Sequence, residues 1–281
     1  MQLSIIHTTY NRAGHLERIL PRFELNAKRH PDIDFEVVIL DGGSSDNTAE
    51  VAKQFMKRET VKVKYVHVGF GKWTNPSLPR NIALRHAEGR IGCTTDADHW
   101  IGQDFIRGAY RAFEDGSDDK VSIGMVWDTN ESRGVPWPKI NNAILSSKLD
   151  DNLDILEFYR QVGIPIREPK SGWIVAYPMW AVEENHGYCE DFAGSDWGRD
   201  EDIFLLMLQE RLQTTTEHHK EFAAIHLCHS VSEFGIRRNA SKNHEIFKRK
   251  IDDLHAAISD NVMRDWGKVP EGVNYEVRQN F

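Results

Sequence analysis

Four apolar, strand-like runs fall within the first hundred residues, and three of them end in a knot of polar residues. "LSIIHTTY" is the first, after which the apolar spacing becomes helical through Leu16, Ile19, Leu20 and Phe23. "FEVVIL" predicts a second strand and leads into "DGGSSDNTAEVAKQFMKR". The glycines there permit a tight turn, and Ser45 or Asp46 can cap a helix whose apolar face is Val51, Ala52, Phe55 and Met56. "VKYVHV" reads as a third strand. "NPSLPRNIALRHAEG" reads as a helix capped by Ser77, with Ile82, Ala83 and Ala87 facing inward and Gly89 as its stop. "IGCTT" is the fourth strand. Strand and helix alternating over such short connections predict an α/β fold, a mostly parallel central sheet flanked by helices. Ligands bind such sheets beyond the carboxyl ends of the strands. The unusual polar residues fall there: Thr9 to Arg12, Asp41 to Asp46, and Asp96 to His99.

The second half is less regular. "DFIRGAYRAF" predicts a helix and "VSIGMVW" a strand, followed by a loop-like "DTNESRGVPWPK". "LDDNLDILEFYR" fits another helix. Residues Gly172 to Trp197 are rich in aromatics, glycine and acid, then "DEDIFLLMLQERL" reads as a helix and "AAIHLCHS" as a strand. The tail after Glu233 carries one helical segment and ends polar. No internal repeat or low-complexity linker marks a second independent domain.

Composition narrows the class. With 281 residues, 40% of them hydrophobic, the chain should bury roughly 75% of its unfolded surface. A formal charge of −8 argues against a nucleic-acid partner, which needs a concentrated basic face. The nearest basic cluster, in "FKRKIDD", is followed at once by acids and reads as a solvated helix face. Cys93, Cys189 and Cys228 form no CxxC pair, as expected of reduced residues in a cytoplasmic protein. "MQLSIIHTTYNR" enters a strand with no basic leader, and no run approaches the ~18 apolar residues of a transmembrane segment. Peripheral contact with a membrane face stays open.

Several residues can carry chemistry. Asp96 and Asp98 alternate just past a strand, where both carboxylates can approach one oxygen-liganded divalent ion; a solvated turn is the plainer alternative. His226 and His229, three apart, face opposite sides of an extended strand unless its end bends, and each is equally readable as a buried hydrogen-bonded histidine. Asp200, Glu201 and Asp202 open a helix, where its dipole favours anions without any chemistry. Three acids beside Trp197 and Gly198 exceed what a cap needs, and a carboxylate against an aromatic wall can serve as a general base. Trp173, Tyr177, Trp180 and Trp197 suit carbohydrate stacking or a core.

The motifs together resemble those of family 2 glycosyltransferases of the GT-A, nucleotide-sugar-binding fold. "TTYNR" resembles the first-strand motif, "ILDGGSSDNT" the second, "NPSLPRNIALRHAEG" the helix before the metal and "TTDADHW" the metal-binding Asp-x-Asp. "DWGRDEDIF" resembles the catalytic-region motif of galactosyltransferases and N-acetylgalactosaminyltransferases, so the likeness spans about residues 3–230. It implies a GT-A domain over 1–232, with a nucleotide-sugar-binding half (1–100) and an acceptor and catalytic half (101–232), followed by a helical C-terminal extension (233–281).

By that resemblance Asp41 contacts the base of a nucleoside diphosphate sugar, uridine by preference, and Thr9, Tyr10 and Arg12 line the same pocket. Arg80 reaches the phosphates. Asp98 is the firm ligand of Mn2+ or Mg2+, with Asp96 nearer the ribose or reaching the metal through water. His229 and His226 fall on downstream metal-ligand positions, and Trp197 with Gly198 borders donor sugar and acceptor. Counted forward from Trp197–Gly198, Glu201 falls on the catalytic acid; counted back from "DIF", Asp202 does. Glu201 ranks first. The implied reaction is transfer of the sugar to a carbohydrate or other hydroxyl acceptor with inversion, retention being the alternative since retaining transferases share the fold, under "DTNESRGVPWPK" or the loop containing Phe70 to Trp73 ordered over the donor. A nucleotidyltransferase would need a glycine-rich, lysine-bearing loop where "HTTYNRAGH" stands. A non-catalytic sugar- or nucleotide-binding module would have little use for a base and a downstream histidine.

Overall fold

A computed structural model describes residues 1–70, 75–129, 157, 169–192, 198–213, 216–227 and 240–281. The first strands form as the apolar runs dictate: β1 (Leu3–Thr9), β2 (Phe35–Asp41), β3 (Lys62–Val68) and β4 (Ile91–Asp96). They lie parallel in the order β4-β1-β2-β3. Their helices are α1 (Ala13–Arg29), α2 (Thr48–Met56) and α3 (Ser77–Leu84). Both faces of the parallel strands are covered, which is why β1 and β2 read as nearly unbroken apolar runs. Leu3 and Ile5 pack with Leu16, Ile19 and Phe23 of α1, and Ile6 packs on the other face with Ile82 and Ala83 of α3. The register sets Thr9 opposite Asp41 and Thr8 opposite Asp96. Three polar strand ends therefore emerge level at one edge.

Past β4 the chain makes a short β5 (His99–Ile101) and α4 (Phe105–Tyr110), which tightens into a 3₁₀ turn over Arg111–Phe113. Then come β6 (Val121–Asp128), β7 (Lys170–Pro178), α5 (Met179–Glu184), α6 (Asp200–Leu212) and β8 (Thr216–His226). β7 runs antiparallel to β4, and the sheet continues outward through β6, β8 and β5. The nine-stranded sheet is thus mixed overall, with the expected parallel strands at its heart. α1 also fastens β5: the buried Arg22 Nε donates to the Ile101 carbonyl (3.0 Å), and Asn26 Nδ2 donates to that of Gly102 (2.9 Å). No helix among the described residues is long and apolar enough to cross a membrane.

Four local expectations are corrected. Asn47 rather than Ser45 or Asp46 precedes α2, although Asp46 Oδ1 accepts the Thr48 N–H (3.0 Å). α3 stops at Leu84, and Ser77 is its first turn rather than its cap; Asn75 Oδ1 accepts the Ser77 N–H (2.9 Å). Gly89 lies beyond the helix against β1, where a side chain would come within 2.5 Å of the Ser4 nitrogen. Among its described residues the tail holds two helices, α7 (Ala240–Asp252) and α8 (Leu254–Val262), and a strand, β9 (Tyr275–Gln279), antiparallel to β3. The helix expected over "LDDNLDILEFYR" lies outside the described residues apart from Glu157.

Gly108 lets α4 touch β8, because a Cβ there would sit 2.2 Å from the Phe222 nitrogen, whereas one at Gly14 meets nothing within 4 Å. Gly108→Ala should cost about 1–3 kcal/mol through overpacking. Gly14→Ala, in the first turn of α1, should leave the melting temperature unchanged or raise it. Thermal unfolding of the two variants beside the parent checks this; equal melting temperatures would contradict the close approach.

Candidate active site

Two loops at the strand ends are stitched into one wall. Asn11 takes a left-handed conformation (φ 52°) that suits Asn. Its Oδ1 accepts the Ser45 N–H (2.8 Å), and its own N–H donates to Ser44 Oγ (2.8 Å). The Arg12 N–H donates to Thr48 Oγ1 (3.0 Å) and the Ala13 N–H to Asp46 Oδ2 (3.1 Å). Asp41 is wholly buried beneath this wall. Its Oδ1 accepts from the Ser44 N–H (2.8 Å) and hydroxyl (2.7 Å), and its Oδ2 from the Tyr65 hydroxyl (2.7 Å). Burial, then the charge of Asp41, pushes the Tyr65 hydroxyl pKa well up. In this structure Asp41 thus organises the loop from within. Thr9 and Arg12 are buried beside it, and Tyr10 stays half-exposed.

Arg80 is the centre of the next layer. α3 delivers its guanidinium to a buried position (1% exposed) over the ring of Tyr188, 5.3 Å from the centroid. Nη2 donates to Asp96 Oδ1 (2.8 Å) and Glu201 Oε1 (2.5 Å), and Nη1 donates to Asp200 Oδ2 (3.1 Å). The cation expected to reach phosphates is therefore held by three carboxylates. Gly198 and Arg199, both left-handed (φ 85° and 73°), turn the chain into α6 so that its first residues face Arg80. Burial, opposed by Arg80 and reinforced by Asp200 and Asp96, pushes the Glu201 pKa up to about 8. Burial likewise raises that of Asp200 against the pull of Arg80. A quarter of the Glu201 side chain (25%) stays open to solvent. Asp202 points away, half-exposed, and pairs with Arg199 (3.0 Å). The two candidate bases occupy different environments.

Asp96, Asp98 and His99 form a group whose potential ligand atoms lie within 4.8 Å of one another. The antiparallel register of β5 and β8 sets His226 opposite His99. His226 Nε2 lies 3.8 Å from Asp98 Oδ2, and its Nδ1 3.2 Å from Asp128 Oδ1. Burial disfavours the charged ring of His226, but Asp98 and Asp128 outweigh it and the pKa is raised. Burial lowers that of His99 against the same acids. Trp173 stacks on His99 and meets His226 edge-on. Two carboxylates with imidazole fit a borderline-hard divalent ion such as manganese. His229 and Trp197 lie outside the described residues, as do 71–74 of the loop beginning at Phe70.

The sequence reading gives His99 and Asp200 no role of their own in the site and passes over Asp128. His99 was visible in "DADHW", but a three-residue strand gives no periodic signal of where it turns. Asp128 joins through the parallel pairing of β6 with β8, which sets it opposite His226. Of the aromatic set, Trp173 alone among the described members borders the site: Tyr177 is core, and Trp180 donates from its indole to the Asp118 carbonyl (2.8 Å).

Because folding raises the Glu201 pKa from its ordinary range to about 8, the folded state holds an extra proton between those values. That contribution to stability is complete below about pH 5 and is lost as pH rises through about 8. Denaturant midpoints of the metal-free protein and of Glu201→Gln should therefore converge or cross as pH rises, the parent losing more. A difference independent of pH would rule out the buried proton.

The family profile described as Glycosyl transferase family 2 matches residues 4–169. The poly(ribitol-phosphate) beta-N-acetylglucosaminyltransferase TarS of Staphylococcus aureus (strain Mu50) is 27% identical over 165 residues, 57% of this chain and 28% of TarS. The dolichol-phosphate mannosyltransferase of Pyrococcus furiosus is 28% identical over 177 residues, 62% of this chain and 45% of its own. The chain thus spans less than half the length of either relative. The crystal structure of S. aureus TarS 1-349 in complex with UDP-GlcNAc matches with a TM-score of 0.55 at 19% identity, over 80% of this chain and 57% of that one. The mannosyltransferase PcManGT from Pyrobaculum calidifontis, in complex with GDP-Man and Mn2+, gives 0.56 at 17% identity, over 82% and 58%. These structures share the GT-A fold with this chain. With the profile covering more than half its residues, from β1 up to the start of β7, the chain belongs to glycosyltransferase family 2.

Proposed function

We propose that the protein is a divalent-metal-dependent glycosyltransferase that moves a sugar from a uridine diphosphate sugar to an acceptor hydroxyl with inversion. The observation that carries this reading is Glu201, a partly open carboxylate of raised pKa, joined through Arg80 to Asp96 of the Asp-x-Asp pair. A binding module has no need for such a base. The ligands named for the solved relatives, UDP-GlcNAc with TarS and GDP-Man with Mn2+ for PcManGT, support the donor class and the metal.

Asp98 and His226, with Asp96 and His99 beside them, would hold the ion, which supplies positive charge against the departing diphosphate. Thr9, Tyr10 and Arg12 line the nucleotide pocket, on the loop that Asp41 holds from beneath. In its ionised form, whose share grows as pH rises toward 8, Glu201 accepts the acceptor hydroxyl proton while that oxygen attacks the anomeric carbon and the bond to the diphosphate oxygen breaks. Arg80, engaged with Asp96, Asp200 and Glu201, acts here as a positioning residue that holds the base beside the Asp-x-Asp pair. Residues 1–100 would bind the donor, 101–232 the acceptor, and 233–281 brace the catalytic helix. We place the enzyme in a reducing compartment such as the cytoplasm, a reading supported by the buried free thiols of Cys93 and Cys189.

Calorimetry with UDP should show binding in the presence of manganese that chelation or Asp98→Ala abolishes. Unchanged affinity after full chelation would sink the metal's role, and a preference for GDP would sink the uridine assignment. Glu201→Gln should lower turnover by roughly 10²–10⁴ with UDP affinity retained, while Asp202→Asn should stay within a few-fold of the parent. Steady-state kinetics of both variants decide between them: a selective loss in Asp202→Asn would move the base to that residue.

A further inference from the structure

β9 forms the outer edge of the sheet beside β3, and its five residues are all exposed. The phase of its ladder follows from the bonds at either end. Gly69 N–H donates to the Asn274 carbonyl (2.7 Å), and Asn280 N–H donates to that of Val63 (3.2 Å). Alternate residues of an antiparallel strand turn their N–H and C=O to the same side. With the register pairing Tyr65 with Arg278 and His67 with Glu276, those two β9 residues turn theirs toward β3. Tyr275, Val277 and Gln279 therefore turn theirs outward, where among the described residues no strand pairs with them, as a template for another strand.

We propose that a second copy of this chain fills this edge, β9 pairing antiparallel with β9 about a two-fold axis through Val277. In that register Val277 opposes Val277 and Tyr275 opposes Gln279, so every outward donor and acceptor of the strand meets its complement. Glu276 then faces Arg278 of the second copy twice, at the closer, non-hydrogen-bonded positions. Sliding the strands by two residues either way sets Glu276 against Glu276 or Arg278 against Arg278, and sliding by one mismatches the backbone groups. Charge and backbone phase thus select one self-complementary register, as an isologous interface requires. The axis also lays the exposed Val277 (39%) against its copy, beside Tyr275 (41%) on the same face. Mixed charge on an edge can also serve to keep strands apart, and the two roles give opposite results below.

A five-residue edge is a small contact, so the dimer is expected to form in a concentration-dependent way. Sedimentation of the full chain from micromolar to near-millimolar concentration should show a shift from the 32.3 kDa monomer toward twice that mass. Glu276→Arg and Arg278→Glu, each alone, bring like charges together at both positions and should weaken the dimer roughly tenfold or more. An equimolar mixture of the two variants restores opposite charges at both positions and should dimerise like the parent, which also shows that both variants are folded. A parent that stays monomeric throughout, single variants that dimerise unchanged, or a mixture that fails to recover would each overturn the proposal.

Discussion

The guanidinium of Arg80 joins three parts of the molecule that are distant in sequence. α3 supplies it, β4 brings Asp96, and α6 brings Asp200 and Glu201. Three carboxylates in one enclosed space repel each other, and a single cation leaves the group negative overall. Deleting one partner of a buried pair typically costs about 3–5 kcal/mol, so Arg80 holds the architecture as well as the charge. Its planar fork spreads donors across three acceptors, which a lysine's compact charge would not match. The surplus negative charge adds to burial in keeping a proton on Glu201 to about pH 8. The contact that assembles this cluster therefore also helps to set the protonation of Glu201.

Behind Arg80 the support is largely aromatic. Tyr188 stacks on Phe204 of α6 (3.7 Å between centroids) and donates its hydroxyl to Thr94 (3.0 Å). On the far side of α6, Ile203 and Met207 pack with Ile246 and Phe247 of α7 and with Leu254 and Ile258 of α8. Asn261 donates to the Asn185 carbonyl (2.6 Å), and Gly267 N–H donates to Glu190 (2.8 Å), whose carboxylate also accepts from Asn81 of α3. The last forty residues thus reach the layer around Arg80 through two routes, one apolar and one polar.

Much of this was legible in the sequence where a period exists to be read. The parallel strands β1 to β4 and the amphipathic α1 announce themselves by spacing, and their register follows from pairing buried faces. β7 did not announce itself, because a strand buried on both faces and carrying Trp173 and Tyr177 has the composition of a carbohydrate-stacking surface. Its membership in the sheet depends on contacts with β4 and β6 that are distant in sequence. The same holds within the site. Asp96, Asp98 and Glu201 stood out by motif, whereas Asp128 and Asp200 acquire meaning only through the partners that folding gives them. The placement of Arg80 on carboxylates belongs to that second kind: spacing along the chain carries no record of a contact 120 residues away.

The stitching of two loops by Asn11 has a thermodynamic consequence for any ligand that settles on them. Segments that are separately mobile lose conformational freedom when a ligand gathers them, and that loss is deducted from the affinity. Here Asn11, Thr48 and Asp46 have already tied the turn after β1 to the turn after β2. Much of the ordering entropy is thus surrendered once, during folding, rather than at every encounter. Any ligand arriving at this wall meets a surface that is already shaped, and a larger share of its contact energy remains for holding it.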